Sequence, residues 1–242
     1  MCTVSFVPLA NQHFILTSNR DETVARGLAS APVIIEKEKY QLVCPVDPLA
    51  SGTWIAASNF GDVVCLLNGA FKKHKHQPPY RKSRGLVVMD YFDVGDPKKF
   101  SSEYDLTGIE PFTMVMGHRK NSLQLFELRW DGNQKYFIQL DENDFHLWSS
   151  ATLYNDEIAD GKKKQFKTQL DAEKEISPEK LIGIHQHFLY EDWVKPPERV
   201  QVVSTLSITS VSQTVEKLEM NYCDLVRKEM AVEKMMMELS VN

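Results

Sequence analysis

A cysteine at position 2, the run Ser18-Asn19-Arg20-Asp21-Glu22 and the dipeptide Asn68-Gly69 are the residues of this chain that could do chemistry together. Methionine aminopeptidases remove Met1 when the next residue is as small as cysteine. Removal would leave a thiol nucleophile and a free α-amine on one residue. Such an amine titrates near ~7.7–8.0, so it can serve as general base for its own thiol near neutral pH. Taken alone, Cys2 reads as an incidental small residue. Its meaning depends on what the fold puts beside it.

The elements that would position these groups are short β-rich runs. Residues 3–8 and 14–18 read as two strands joined by a turn at Ala10-Asn11-Gln12. If they pair as a hairpin, the end of the second lies beside the start of the first, and Arg20 and Asp21 arrive next to Cys2. A carboxylate there can hold an α-ammonium, and a guanidinium can favour a thiolate. The plainer reading of residues 18–22 is a solvated charged turn. Residues 54–58 and 63–67 form a second hairpin around Asn59-Phe60-Gly61-Asp62, and Asn68-Gly69 follows at its end. An Asn amide beside a Gly N–H can point two donors at a developing oxyanion. Asn-Gly is also a common turn dipeptide.

Composition narrows the classes. The 242 residues carry 28 Lys+Arg against 33 Asp+Glu, a net charge of −5 that argues against a general nucleic-acid binder. No apolar run approaches the ~18 residues of a membrane span. No basic segment followed by an apolar stretch opens the chain, and a lipoprotein reading of Cys2 fails because only Met1 precedes it. Cys2, Cys44, Cys65 and Cys223 form no C-x-x-C pair, which points to reduced thiols and a cytoplasmic protein.

Further along, residues 19–51 read as irregular, with Pro32, Pro45 and Pro48, and a helix is expected over about 84–92. Strands are expected at 113–117, 123–130 and 136–140. Helices follow at 155–170 and 178–189, the second with Ser177 as N-cap before Pro178. Strands return at 200–205, 207–211 and about 220–225. Hairpins separated by helix pairs fit an α+β architecture of two packed antiparallel sheets with helices outside. The expected division is one domain over 1–226 and a Met-rich amphipathic helix or tail over 227–242, its Met235-Met236-Met237 cluster a packing face.

Met1-Cys2-Thr3, Asn19-Arg20-Asp21-Glu22, Gly52-Thr53-Trp54-Ile55, Asn68, Ser83-Arg84-Gly85 and Pro111-Phe112 occur in the order seen in the NRDE family, also called the transport and Golgi organisation protein 2 family. The resemblance is good over residues 1–118. That family is similar in turn to N-terminal nucleophile hydrolases of the choloylglycine hydrolase and penicillin V acylase type. The resemblance implies an αββα four-layer sandwich and cleavage of a non-peptide C–N amide bond. It makes Cys2 nucleophile and base, with Asp21 holding its amine, Arg20 tuning the thiol and Asn68 donating to the oxyanion. Asn19, Trp54 and Ser150 are the expected substrate-binding residues. Two departures stand out. Trp148-Ser149-Ser150 replaces a Leu-Ser-Asn segment, and Ser204-Thr205-Leu206-Ser207 puts Leu206 where the family commonly has arginine.

The basic run of Lys72, Lys73, Lys75, Arg81, Lys82 and Arg84, with His74 and His76, is either a solvated loop beside the pocket or an attractor for a phosphate-bearing ligand such as a coenzyme A ester. His74-x-His76 lacks a third metal ligand at useful spacing, and His185-x-His187 sits on a helix where i and i+2 do not face each other. No metal and no cofactor is expected. The expected partner is a small-molecule substrate or ligand, with no nucleic acid and no membrane span, and the oligomeric state is left open. The two functional readings are an N-terminal cysteine amidohydrolase and a non-catalytic lipid- or cofactor-binding or trafficking protein on the same fold.

Overall fold

Residues 3–195 and 203–238 are described by a computed structural model. Six strands form one antiparallel sheet: β1 (Thr3–Pro8), β2 (Phe14–Thr23), β10 (His146–Ser149), β11 (Val203–Gln213), β12 (Lys217–Asp224) and β13 (Glu229–Met236), in the spatial order β10-β1-β2-β11-β12-β13. A second antiparallel sheet runs in sequence order from β3 (Val33–Glu36) and β4 (Gln41–Cys44) through β5 (Ile55–Ser58), β6 (Val63–Asn68), β7 (Phe112–Arg119) and β8 (Leu123–Trp130) to β9 (Lys135–Leu140).

The layers follow from which residues alternate inward. Val4, Phe6, Leu16, Val115 and Met220 fill the space between the sheets. The outer face of the seven-stranded sheet is covered by α1 (Arg84–Val94) and α2 (Pro97–Glu103), whose Tyr91 and Phe100 pack on Met114 and Phe126. On the six-stranded sheet, α3 (Asp156–Ala172), α4 (Pro178–His185) and α5 (Tyr190–Trp193) complete the fourth layer, with Phe166 and Leu181 against Val7 and Ile15. The αββα sandwich expected from the sequence is therefore the fold. Side-chain caps start the helices: Ser83 accepts from the Leu86 N–H, Asn155 from Ile158, and Ser177, with Pro178 after it, from Lys180. Among the described residues no helix is long and apolar enough to cross a membrane.

The structure departs from the sequence reading in several places, among them the unexpected strand β10 and an α4 that ends at His185. Residues 19–51 are not irregular: β2 runs on to Thr23, and β3 and β4 form a hairpin whose flanking Pro32 and Pro45 stand outside the strands. Asp96 and Pro97 open a helix, α2, where none was expected. The strands expected at 200–205 and 207–211 are one strand from Val203, with a bulge between Thr205 and Ser207; residues 200–202 lie outside the described residues. Most plainly, Glu229–Met236 is not a helix or tail but strand β13, paired along its length from Asp224↔Glu229 to Lys217↔Met236. Its period is two: Met230, Val232, Lys234 and Met236 are exposed while Met235 is buried in the inter-sheet core.

One close approach sets the wall of the site below. The first turn of α1 rests on the chain at Gly52 and Thr53, where the Thr53 N–H donates to the Gly85 carbonyl at 3.3 Å. A Cβ on Gly52 would lie 2.5 Å from the Gly85 carbonyl carbon and 2.8 Å from the Leu86 nitrogen, backbone atoms that cannot swing aside. Gly52→Ala should therefore lower stability by about 1–3 kcal/mol, read by chemical denaturation. An unchanged midpoint would show that α1 shifts freely.

Candidate functional site

Pairing in the first hairpin runs from Thr3↔Asn19 to Pro8↔Phe14, so the start of β1 lies beside Asn19 and the residues that follow it. The two faces of β2 then separate the expected site residues. Arg20 faces the cavity side, with its guanidinium 3.0 Å from Asp47 Oδ2 and 5.0 Å from the Trp54 ring centroid. Asn19 and Asp21 face the helices. Cys2 lies outside the described residues.

Arg20, Trp54 and Asn68 are brought together on one cavity of about 330 Å³, whose other walls include Arg26, Arg84 and Glu110. Asp47 is the hub of the cation side. It takes Arg20 and Arg26, each at 3.0 Å, on Oδ2, and the Leu49 and Ala50 N–H groups on Oδ1. Burial alone would push its carboxyl up, yet Arg26, the Ala50 N–H and Arg20 hold it below the usual carboxylate range. Glu110 plays the same part opposite. Burial opposes its charge, but Arg84 at 3.1 Å, with His74 and His76 at 3.0 and 3.1 Å, keeps it low.

Asn68 ends β6, half-buried. Its side-chain amide has no hydrogen-bond partner among the described residues, while its carbonyl accepts from the Ser150 hydroxyl at 2.8 Å. Ser150 is fully buried and further tied to Thr152 at 2.9 Å, so its hydroxyl braces Asn68 and does not line the cavity. The neighbouring Gly69 N–H, read from the sequence as a second oxyanion donor, is spent on the Pro111 carbonyl at 3.0 Å. Its φ of +81° and a Cβ position 2.9 Å from the Thr152 methyl explain the glycine.

On the helix side, the Asp21 carboxylate accepts from the Tyr154 hydroxyl at 2.9 Å and from the Thr205 hydroxyl at 2.6 Å. Thr205 in turn accepts from the Tyr190 N–H. Asn19 spends its amide on the Phe188 carbonyl at 3.0 Å and its oxygen on His185 Nδ1 at 2.6 Å. It lies across β2 from the cavity and does not contact it, contrary to the substrate-binding role expected for it. Leu206 is buried at the bulge between Thr205, opposite Asp21, and Ser207, opposite Arg20. The cation the resemblance places there is absent, and Arg20 is held from Asp47 instead.

The sequence reading missed Asp47, Tyr154, Thr205 and Lys162. Lys162, fully buried, donates to Thr3 Oγ1 at 2.6 Å and lies 3.8 Å from the Tyr154 ring centroid. A buried lysine on the apolar stripe of α3, with Phe166 and Leu170, is a signal that helix periodicity could have flagged. The basic run divides: Lys82 and Arg84 line the cavity, Lys72 and Lys73 line a neighbouring one of about 580 Å³, and His74 and His76 converge on Glu110. No group of three or more metal-ligating side chains occurs among the described residues.

The chain belongs to the Transport and Golgi organisation 2 family. The match spans residues 1–224. No curated protein matches the chain by sequence. Among solved structures it is similar to a variant of conjugated bile acid hydrolase from Clostridium perfringens, at 9% identity and TM-score 0.58 over 100% of this chain and 99% of that one. A second variant of the same enzyme gives 10% identity and TM-score 0.57 over the same shares. An N-acylethanolamine-hydrolyzing acid amidase ortholog from Caenorhabditis elegans gives 12% and 0.49 over 86% and 92%. The fold is that of the N-terminal nucleophile hydrolases.

His185 supplies a pH test of this frame. Wholly buried, it donates from Nδ1 to Asn19 and accepts from Ser5 on Nε2 at 2.8 Å; burial, helped by the Lys162 charge, pushes it down to about 3. The folded protein thus binds fewer protons at this ring than the unfolded chain between about pH 3 and about 6.5. Its neutral form contributes fully above that window, and the contribution falls by about 1.4 kcal/mol per pH unit as the pH drops through it. Denaturation across pH 4–6.5 should show a shallower acid loss in His185→Gln than in the wild type. Parallel slopes would mean the ring titrates normally.

Proposed function

We propose that this protein is a cysteine N-terminal nucleophile hydrolase that cleaves a non-peptide C–N amide bond in a small-molecule substrate, with Cys2 as nucleophile. The observation that carries this is the meeting of Arg20, Trp54 and Asn68 on one cavity beside the start of β1.

In this reading the Cys2 thiol passes its proton to its own α-amine and attacks the amide carbon. The Asn68 side-chain N–H donates to the oxyanion. The α-ammonium returns the proton to the departing amine, and a water then hydrolyses the thioester. Asp21, held by Tyr154 and Thr205, orients the amine, and Arg20 favours the thiolate. Cys44, Cys65 and Cys223 are buried unpaired thiols, which supports action in the reducing cytoplasm.

A second reading, a non-catalytic binding or trafficking protein, is favoured by two observations: the hydroxyl of Ser150 is spent on Asn68, and Leu206 stands in place of a cation. Labelling with an acyl-type thiol probe separates the two. Burial pushes the Cys44 thiol up to about 11 and Cys65 to about 12, and raises Cys223 as well, so these react poorly. Protein from its native host should be lighter than the gene product by one methionine and take one label, lost in Cys2→Ala. Retained Met1, or undiminished labelling of Cys2→Ala, would hand the case to the binding reading.

A further inference from the structure

At the opposite end of the β5–β6 hairpin from Trp54 and Asn68, about 20 Å along β6, a second set of polar groups converges. Asp62 is buried against α1, and its carboxylate accepts from His118 Nδ1 at 2.7 Å and from the Tyr91 hydroxyl at 3.1 Å. Its own N–H is held by Ser58 Oγ at 3.2 Å. The imidazole is therefore fixed in orientation, with Nδ1 committed to Asp62. His118 Nε2 has no partner among the described residues, and the ring lines two adjoining cavities of about 270 and 210 Å³.

We propose that this is a second ligand site, one that takes a small aromatic carboxylate on His118. The larger cavity is walled by Tyr40, Phe60 and Phe92, faces on which a ring can stack or meet edge-on. Lys120 borders both cavities, and Lys98 borders the smaller, over the Phe126 ring at 5.9 Å. Asp96 also borders both, but its carboxylate caps α2 by accepting from the Lys99 N–H at 2.8 Å. Burial alone would lower the His118 imidazole, yet the hydrogen bond and charge of Asp62 raise it above its ordinary value. An imidazolium with one N–H spent on a buried carboxylate turns its remaining N–H donor to the cavity, where a carboxylate oxygen is the matching acceptor.

The test follows the His118 side-chain NMR signals of the full chain during titration with benzoate, acetate and inorganic phosphate. Benzoate should shift them saturably at millimolar concentration, leaving the Trp54 indole signal in place. His118→Gln should weaken benzoate binding, followed by backbone signals of Lys120 and Asn121, by about tenfold or more. Phe60→Ser, at an exposed position that leaves the core intact, should abolish the preference for benzoate over acetate. No saturable shift, equal response to all three anions, or unchanged benzoate binding in both variants would overturn the proposal.

Discussion

An antiparallel ladder from Thr3↔Asn19 to Pro8↔Phe14 fastens the first strand to β2, and the candidate site depends on it. β2 is the strand that joins the halves of its sheet, with β1 on one side and β11 on the other, so Asn19 is held from both edges and Arg20 and Asp21 are held by β11. A slip of one residue would exchange its two faces. Arg20 would leave the cavity for the helices, and the Asp21 carboxylate would leave Tyr154 and Thr205. The apolar residues forbid the slip: Leu16 is locked between the sheets and Ile15 against the helices.

The same register divides the buried polar groups into two sets. On the helix side, His185 joins Asn19 to Ser5, Asp21 accepts from Tyr154 and Thr205, and Lys162 donates to Thr3, in a layer otherwise filled by Phe166, Leu181 and Phe188. Buried polar groups left unpaired cost heavily, so this set behaves as a rigid brace. On the cavity side the groups are charged pairs with a free rim. Two guanidiniums, Arg20 and Arg26, share one carboxylate, Asp47, and Glu22 lies 3.7 Å from Arg26, so two cations stand against two carboxylates at that corner. Trp148 adds a link between the sheets by donating to Glu127 on β8 at 2.6 Å, with Arg129 clamping the same carboxylate. That link holds the short strand β10, and with it Ser150, against the end of β6.

How much of this was legible in the sequence depended on whether the cause was local. The β1–β2 hairpin, the cap at Ser177 and the placement of Arg20 at the end of β2 follow from alternation, turn residues and cap chemistry, and the sequence carries them directly. Asp47 does not announce itself, because its role is to be met by Arg20 across 27 positions, and in isolation it is an aspartate beside Pro48 in a loop. Thr205 reaches Asp21 across 184 positions. β13 was misread because methionine suits a helix as well as a strand; pairing with β12, a tertiary effect, decided the matter. Asn19 stands away from the cavity for a sharper reason. Adjacent residues of a strand face opposite ways, so a contiguous motif from Asn19 to Glu22 cannot serve one cavity as a block.

That alternation also explains how the fold tolerates Leu206. The bulge between Thr205 and Ser207 lets two neighbours on β11 serve Asp21 and Arg20 while the residue between them drops out of the ladder. A cation at the bulge would stand beside Arg20 and would need its own counter-charge. With leucine there, Arg20 is met by Asp47 from the loop after β4, which also takes Arg26 from the turn after β2. The cavity wall then sets Arg20, Arg26, Lys82 and Arg84 against Glu22, Asp47 and Glu110, four cations to three carboxylates, which favours an anionic ligand group only where the cations outnumber the acids locally.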